Sequence, residues 1–98
     1  MRCFVDMYGL SIRTAQLQQV EIDIPNPAKL ADIITAIKDK LPLLEGDVIL
    51  IGQNRLTPYY TFNINGCFYS YESELEKNSL IHLKDGQRIA LLPLAFGG

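Results

Sequence analysis

The alternation of apolar and polar residues changes period several times along the chain, and each change marks an element. Over Arg2–Tyr8 the period is two, with Cys3, Val5 and Met7 on one face and Phe4 and Tyr8 on the other. This predicts a first strand, broken at Gly9. Gln18–Pro25 is cleaner. Val20, Ile22 and Ile24 alternate with Glu21 and Asp23, the pattern of a strand with one wet face. Its expected partner is the first strand, with 9–16 as the turn between them. The period then becomes helical: Leu30, Ile33, Ile34, Ile37 and Leu41 form one apolar stripe. Asn26 is the expected N-cap and Pro27 the expected first helical residue. Lys38 and Lys40 suit the negative end of the helix dipole, and Pro42 stops the helix.

Beyond the helix the signals are shorter. Glu45-Gly46-Asp47 reads as a turn, Val48–Ile51 as a short buried strand or its rim, and Gly52–Pro58 as an exposed loop. Tyr60–Ile64 reads as a strand, Asn65-Gly66 as a hairpin turn and Cys67–Tyr71 as the returning strand. The polar stretch Glu72–Leu80 has room for a turn of helix. Lys84-Asp85-Gly86 is a tight turn, Gln87–Leu92 a last strand, and Pro93 its end. A single amphipathic helix must bury its stripe on a sheet face. The first and last strands both adjoin long connections, so they can lie side by side in the middle of that sheet. The expected architecture is therefore α+β, a mixed sheet packed on one main helix, with 1–98 as one domain and a flexible tail from about residue 93.

Composition narrows the function classes. At 98 residues the chain suffices for one small domain, and 48% hydrophobic content is too high for disorder. A net charge of −2 with scattered Lys and Arg carries no basic stripe for nucleic acid. The apolar runs are far short of the ~20 residues a spanning helix needs, and no signal peptide is evident, so the expected location is cytoplasmic with no membrane contact. In that compartment Cys3 and Cys67 are expected as free, mostly buried thiols. With His82 the single histidine, no metal-ligand set is expected.

The chemistry concentrates at Gly97-Gly98. Glycine lacks a Cβ, so a diglycine carries its carboxylate on a slim stalk able to thread a narrow channel. Such a carboxylate can be adenylated by a partner enzyme and carried as an acyl group. The plainer reading is a frayed end.

The segments 29–37, Leu41-Pro42, Phe62–Gly66, Leu83–Pro93 and Gly97-Gly98, in that order, resemble the beta-grasp sulfur-carrier family, which includes the molybdopterin synthase small subunit and the thiamine sulfur-carrier protein. The resemblance implies a ubiquitin-like beta-grasp fold and a carrier that is not itself an enzyme and binds no cofactor. An adenylyltransferase of the ubiquitin-activating type would use ATP to adenylate Gly98. A sulfurtransferase step would convert the product to a thiocarboxylate. An acceptor such as a molybdopterin synthase large subunit would then take the sulfur. Gly98 and Gly97 are the implied chemical residues, with Leu92, Pro93, Leu94 and Phe96 as partner contacts. Length favours the molybdopterin-type branch over the thiamine-type. Two departures stand out. Phe96 occupies a position usually held by a small residue, and Gln87-Arg88 replaces the usual acidic pair.

Other features read more plainly. Phe4, Phe62, Phe68 and the groups Tyr59-Tyr60 and Tyr69–Tyr71 are expected mainly as core and strand-face residues, with a partner surface as the rival reading. His82 is expected to be structural, Glu72, Glu74 and Glu76 a solvated rim, and Cys67 unreactive. The rival to a sulfur carrier is a ubiquitin-like interaction module or a lysine-conjugated protein modifier.

Overall fold

The computed structural model describes residues 1–8, 19–71 and 80–94. Strand β1 (Arg2–Met7) is followed by β2 (Gln19–Asp23), helix α1 (Leu30–Lys40), a 3-10 turn (Pro42–Leu44), β3 (Tyr60–Ile64), β4 (Cys67–Ser70) and β5 (Gln87–Pro93). The strands form one mixed sheet in the order β2-β1-β5-β3-β4. β1 and β2 pair antiparallel, with Val5 opposite Val20, and β1 runs parallel to β5, with Val5 opposite Ile89. The first and last strands thus lie side by side in the interior of the sheet, as their long connections predict. Such a parallel pair needs a crossover, and the stretch carrying α1 is part of it.

One face of the sheet is dry. Cys3, Val5, Ile22, Phe62, Ile64, Ile89 and Leu91 are buried there with the α1 stripe of Leu30, Ile33, Ile34 and Ile37. The helical period and the strand period meet on a common core, which is the physical reason both patterns exist. Asn65 (φ 55) and Gly66 (φ 83) form the β3–β4 turn with both central residues left-handed. That geometry sets the register Ile64–Cys67.

Three expectations are corrected. Asn26 does not cap the helix. Its side-chain oxygen accepts a hydrogen bond from the Leu83 amide at 3.1 Å, and Ala28 exchanges backbone hydrogen bonds with Ile81. Extended pairing thus holds the chain until Lys29, which is the N-cap, while the Asp32 carboxylate accepts from the Lys29 amide at 2.9 Å. Val48–Ile51 is not a strand. Val48 and Ile49 are buried, but both amides donate to the Leu44 carbonyl, so the segment folds on itself as turns and isolated bridges. Gly52–Pro58 is not wholly exposed either, because Leu56 and Thr57 are buried.

The two cysteines are free, but only Cys3 is buried; Cys67 is exposed at the start of β4. Burial pushes the Cys3 thiol up, away from the thiolate. The expected 9–16 turn and the Glu72, Glu74 and Glu76 rim lie outside the described residues. No helix among the described residues is long and apolar enough to cross a membrane.

Candidate functional site: the exit of the central strand

β5 has neighbours on both sides, β1 and β3, so its path is held by two ladders. Its inward residues, Ile89 and Leu91, are buried, and the alternate residues Arg88, Ala90 and Leu92 look out from the open face. Leu92 stands opposite Thr61 and Pro93 opposite Tyr60. Pro93 has no N–H to give, and β5 ends there. The next amide, that of Leu94, donates to the Tyr59 carbonyl at 2.8 Å. The chain is therefore anchored through Leu94. Leu92 and Leu94 are half-buried and Pro93 is exposed. Phe96, Gly97 and Gly98 lie outside the described residues.

The open face is not uniformly polar. The registers bring Phe4, Asp6, Arg88, Ala90, Leu92, Thr61, Asn63, Phe68 and Ser70 onto it. Phe68 is 63% exposed, and Tyr8, just past β1, is 50% exposed. Tyr59, whose carbonyl anchors Leu94, is 63% exposed. Of the aromatics among the described residues, only Phe62 is fully buried; Tyr60 and Tyr69 pack partly on the core, and Tyr71 faces the Arg55 guanidinium at 5.2 Å. The partner-surface reading therefore fits Tyr59, while Tyr60 and Tyr69 follow the core reading. No pattern in the sequence marks Tyr59 as an anchor, because its carbonyl, not its side chain, accepts the Leu94 hydrogen bond. Phe68 was legible: an Asn-Gly turn pairing Ile64 with Cys67 puts Phe68 on the face opposite Ile64.

The two residues replacing the usual acidic pair have partners. Arg88 Nε donates to Asp6 Oδ2 at 2.9 Å, and Gln19 Nε2 donates to Asp6 Oδ1 at 2.7 Å. The Arg88 bond chiefly, helped by Gln19, holds the Asp6 carboxyl below its ordinary range. Gln87 Nε2 donates to Asn65 Oδ1 at 3.0 Å, joining the start of β5 to the β3–β4 turn. His82 is exposed on the segment leading into β5. Among the described residues no cluster of three His, Cys, Asp or Glu could hold a metal ion.

No protein-family model matches the chain, and no curated protein matches it. Solved structures do. SAMP1 from Haloferax volcanii superposes with a TM-score of 0.72 at 19% identity, covering 100% of both chains. SAMP1, the small archaeal modifier protein 1, from Methanosarcina acetivorans gives 0.62 at 24% identity, covering 99% of this chain and 96% of that one. A putative molybdopterin converting factor, subunit 1, from Pyrococcus furiosus gives 0.61 at 19% identity, covering 96% and 98%. At such identities the likeness establishes the fold, and this chain has the ubiquitin-like beta-grasp fold of those proteins.

Proposed function

We propose that the protein is a sulfur carrier that works through the Gly98 carboxylate. The observation that carries this reading is the anchoring of β5. A central strand bonded on both sides, and again at Leu94, is a rigid platform, and four residues of the sequence follow it. Fully extended, four residues reach about 14 Å. That is long enough to enter a partner's active site and short enough to hold the acyl group at a defined distance from the docked body.

The chemistry belongs to the partners. In an adenylyltransferase of the ubiquitin-activating type, a Gly98 carboxylate oxygen attacks the α-phosphorus of ATP and pyrophosphate leaves. The terminal sulfur of a sulfurtransferase persulfide attacks the carbonyl carbon and AMP leaves, giving an acyl disulfide; a thiol then attacks the sulfurtransferase sulfur, forming a disulfide with it and releasing the thiocarboxylate. In an acceptor such as a molybdopterin synthase large subunit, the docked tail makes sulfur donation effectively intramolecular. Gly97 and Gly98 let the backbone pass where a side chain would clash. Leu92, Pro93 and Leu94 sit at the mouth of the tail and are the partner contacts, with Tyr59 beside them. Phe96 requires a partner channel wide and apolar enough for a ring.

The SAMP1 neighbours favour one second reading, a modifier joined to lysine amines through the same activated carboxylate. The two readings share the first step and differ in its product. Intact mass of the protein from its own host separates them. One oxygen-to-sulfur exchange, located at Gly98 by alkylation of the C-terminal peptide, is expected for a carrier. An isopeptide to a lysine would instead identify a modifier. A carboxylate still unmodified after incubation with ATP, host extract and a sulfur source would sink both and leave an interaction module.

A further inference from the structure

The β3–β4 turn holds the one place in this chain where an asparagine precedes a glycine, Asn65-Gly66. Both residues are exposed. The space where a Cβ of Gly66 would stand has no atom within 4 Å, so no neighbour covers the turn on that side. Two side chains nevertheless reach it. The Gly66 amide donates to Asn63 Oδ1 at 3.1 Å, and Asn63 is half-buried on β3. Asn65 Oδ1 accepts from Gln87 Nε2 at 3.0 Å. Gln87 is itself fixed, its Oε1 accepting from the Lys84 amide at 3.4 Å and its Nε2 donating also to the Arg88 carbonyl at 3.3 Å.

We propose that Asn65 is a site of spontaneous deamidation and that Asn63 guards it. An asparagine carboxamide is thermolabile, most of all before glycine, whose missing side chain lets the following amide nitrogen reach the carboxamide carbon. In the reaction the Gly66 nitrogen gives its proton to solvent hydroxide and bonds to Asn65 Cγ. The bond from Cγ to Nδ2 breaks, and Nδ2 takes a proton from water and leaves as ammonia. Water then adds to either carbonyl of the cyclic imide, and a ring C–N bond breaks. One opening gives aspartate. The other gives isoaspartate, with Cβ inserted into the main chain. The Asn63 bond opposes the first step, because the Gly66 N–H must leave that acceptor before its nitrogen is free to attack. The Gln87 bond has two opposed effects. It restrains the carboxamide, but a donor on Oδ1 also favours the negative charge that develops there during attack. The guard is therefore Asn63. Its failure has a structural consequence. The two-residue turn, left-handed at both positions, sets Ile64 opposite Cys67. An inserted main-chain atom breaks that match, and β4 ends the sheet, paired with β3. An isoaspartyl turn therefore loosens the attachment of β4.

The test is timed incubation of the folded full chain beside Asn63→Ala and Asn63→Asp. Chromatography and mass spectrometry resolve the Asn65 peptide into its asparagine, aspartate and isoaspartate forms. Loss of the acceptor should speed conversion of Asn65 about fivefold in the Ala variant, the effect of one net hydrogen bond. The Asp variant, which keeps an oxygen within reach of the Gly66 amide, should stay near the parent rate. In urea, where the turn is gone, all three should convert at one rate, faster than the folded parent. If the Ala variant folds poorly, Asn63→Leu, of similar shape and without the acceptor, makes the same comparison. A variant without the acceptor that converts as slowly as the parent, an acceleration shared by the Asp variant, a folded parent as fast as the unfolded chain, or conversion at another asparagine ahead of Asn65 would overturn the proposal. The turn is separate from the tail, so this reading and the sulfur-carrier reading can each fail alone.

Discussion

Asp6 joins three strands through one side chain: it sits on β1 and accepts from Gln19 on β2 and Arg88 on β5. Its side chain is only 13% exposed, while Arg88 is 68% exposed. A carboxylate held below its usual value of 3.8 binds protons less readily when folded than when unfolded. Its stabilising contribution is therefore complete above the unfolded value and is lost as pH falls through the folded one. We expect Asp6→Asn to flatten the acid limb of a urea-midpoint-against-pH curve below about pH 4. An unchanged limb would show that other carboxylates carry it. The sequence marks Asp6 only as a polar residue on an outward strand position. Its partners come from segments 13 and 82 residues away, a distance no local pattern spans.

At the scale of elements, α1 and the 41–59 segment behave differently. The helix stripe reads directly from the period of 3.6, and Ile33, Ile34 and Ile37 are fully buried. Ile34→Ala should cost roughly 2–5 kcal/mol in chemical denaturation, because the lost methylenes leave a void in a packed core. A negligible change in midpoint would contradict that burial. The 41–59 segment is harder to read because its apolar residues follow neither period. Leu44, Val48, Ile49 and Leu56 are buried through a web of turn hydrogen bonds to Leu44, Val48 and Ile49. Inside that web the Thr57 hydroxyl is buried without a hydrogen-bond partner. Replacing it with an apolar group of the same shape removes the desolvation cost, so Thr57→Val should raise stability by about 1 kcal/mol. A lower denaturation midpoint for that variant would mean that the hydroxyl is satisfied. The helix start shows the same contrast. Asn26-Pro27 is a good local signal for an N-terminus, yet the bonds to Leu83 and Ile81 take that stretch for extended pairing.

For the whole molecule, the sheet order puts β5 between two neighbours, so the sulfur carrier proposed above would keep its folding apart from its chemistry. In the proposed carrier, Gly98→Ala should leave thermal unfolding unchanged and abolish thiocarboxylate formation, since the added methyl would meet the wall of a partner's activating site. Normal thiocarboxylate formation by that variant, read by mass spectrometry, would remove the steric case for the diglycine. The period-two strands, the helix stripe, the Asn-Gly hairpin and the order of elements could all be read along the chain, because each depends on neighbours within a few residues. Contacts between distant segments had to await the folded chain. Among these are the anchoring of Leu94 by Tyr59, the diversion of Asn26 to Leu83, and the Asp6 network. Each pairs groups from separate segments of the chain, and such pairings are chosen by competition among all the surfaces that the folded chain brings together.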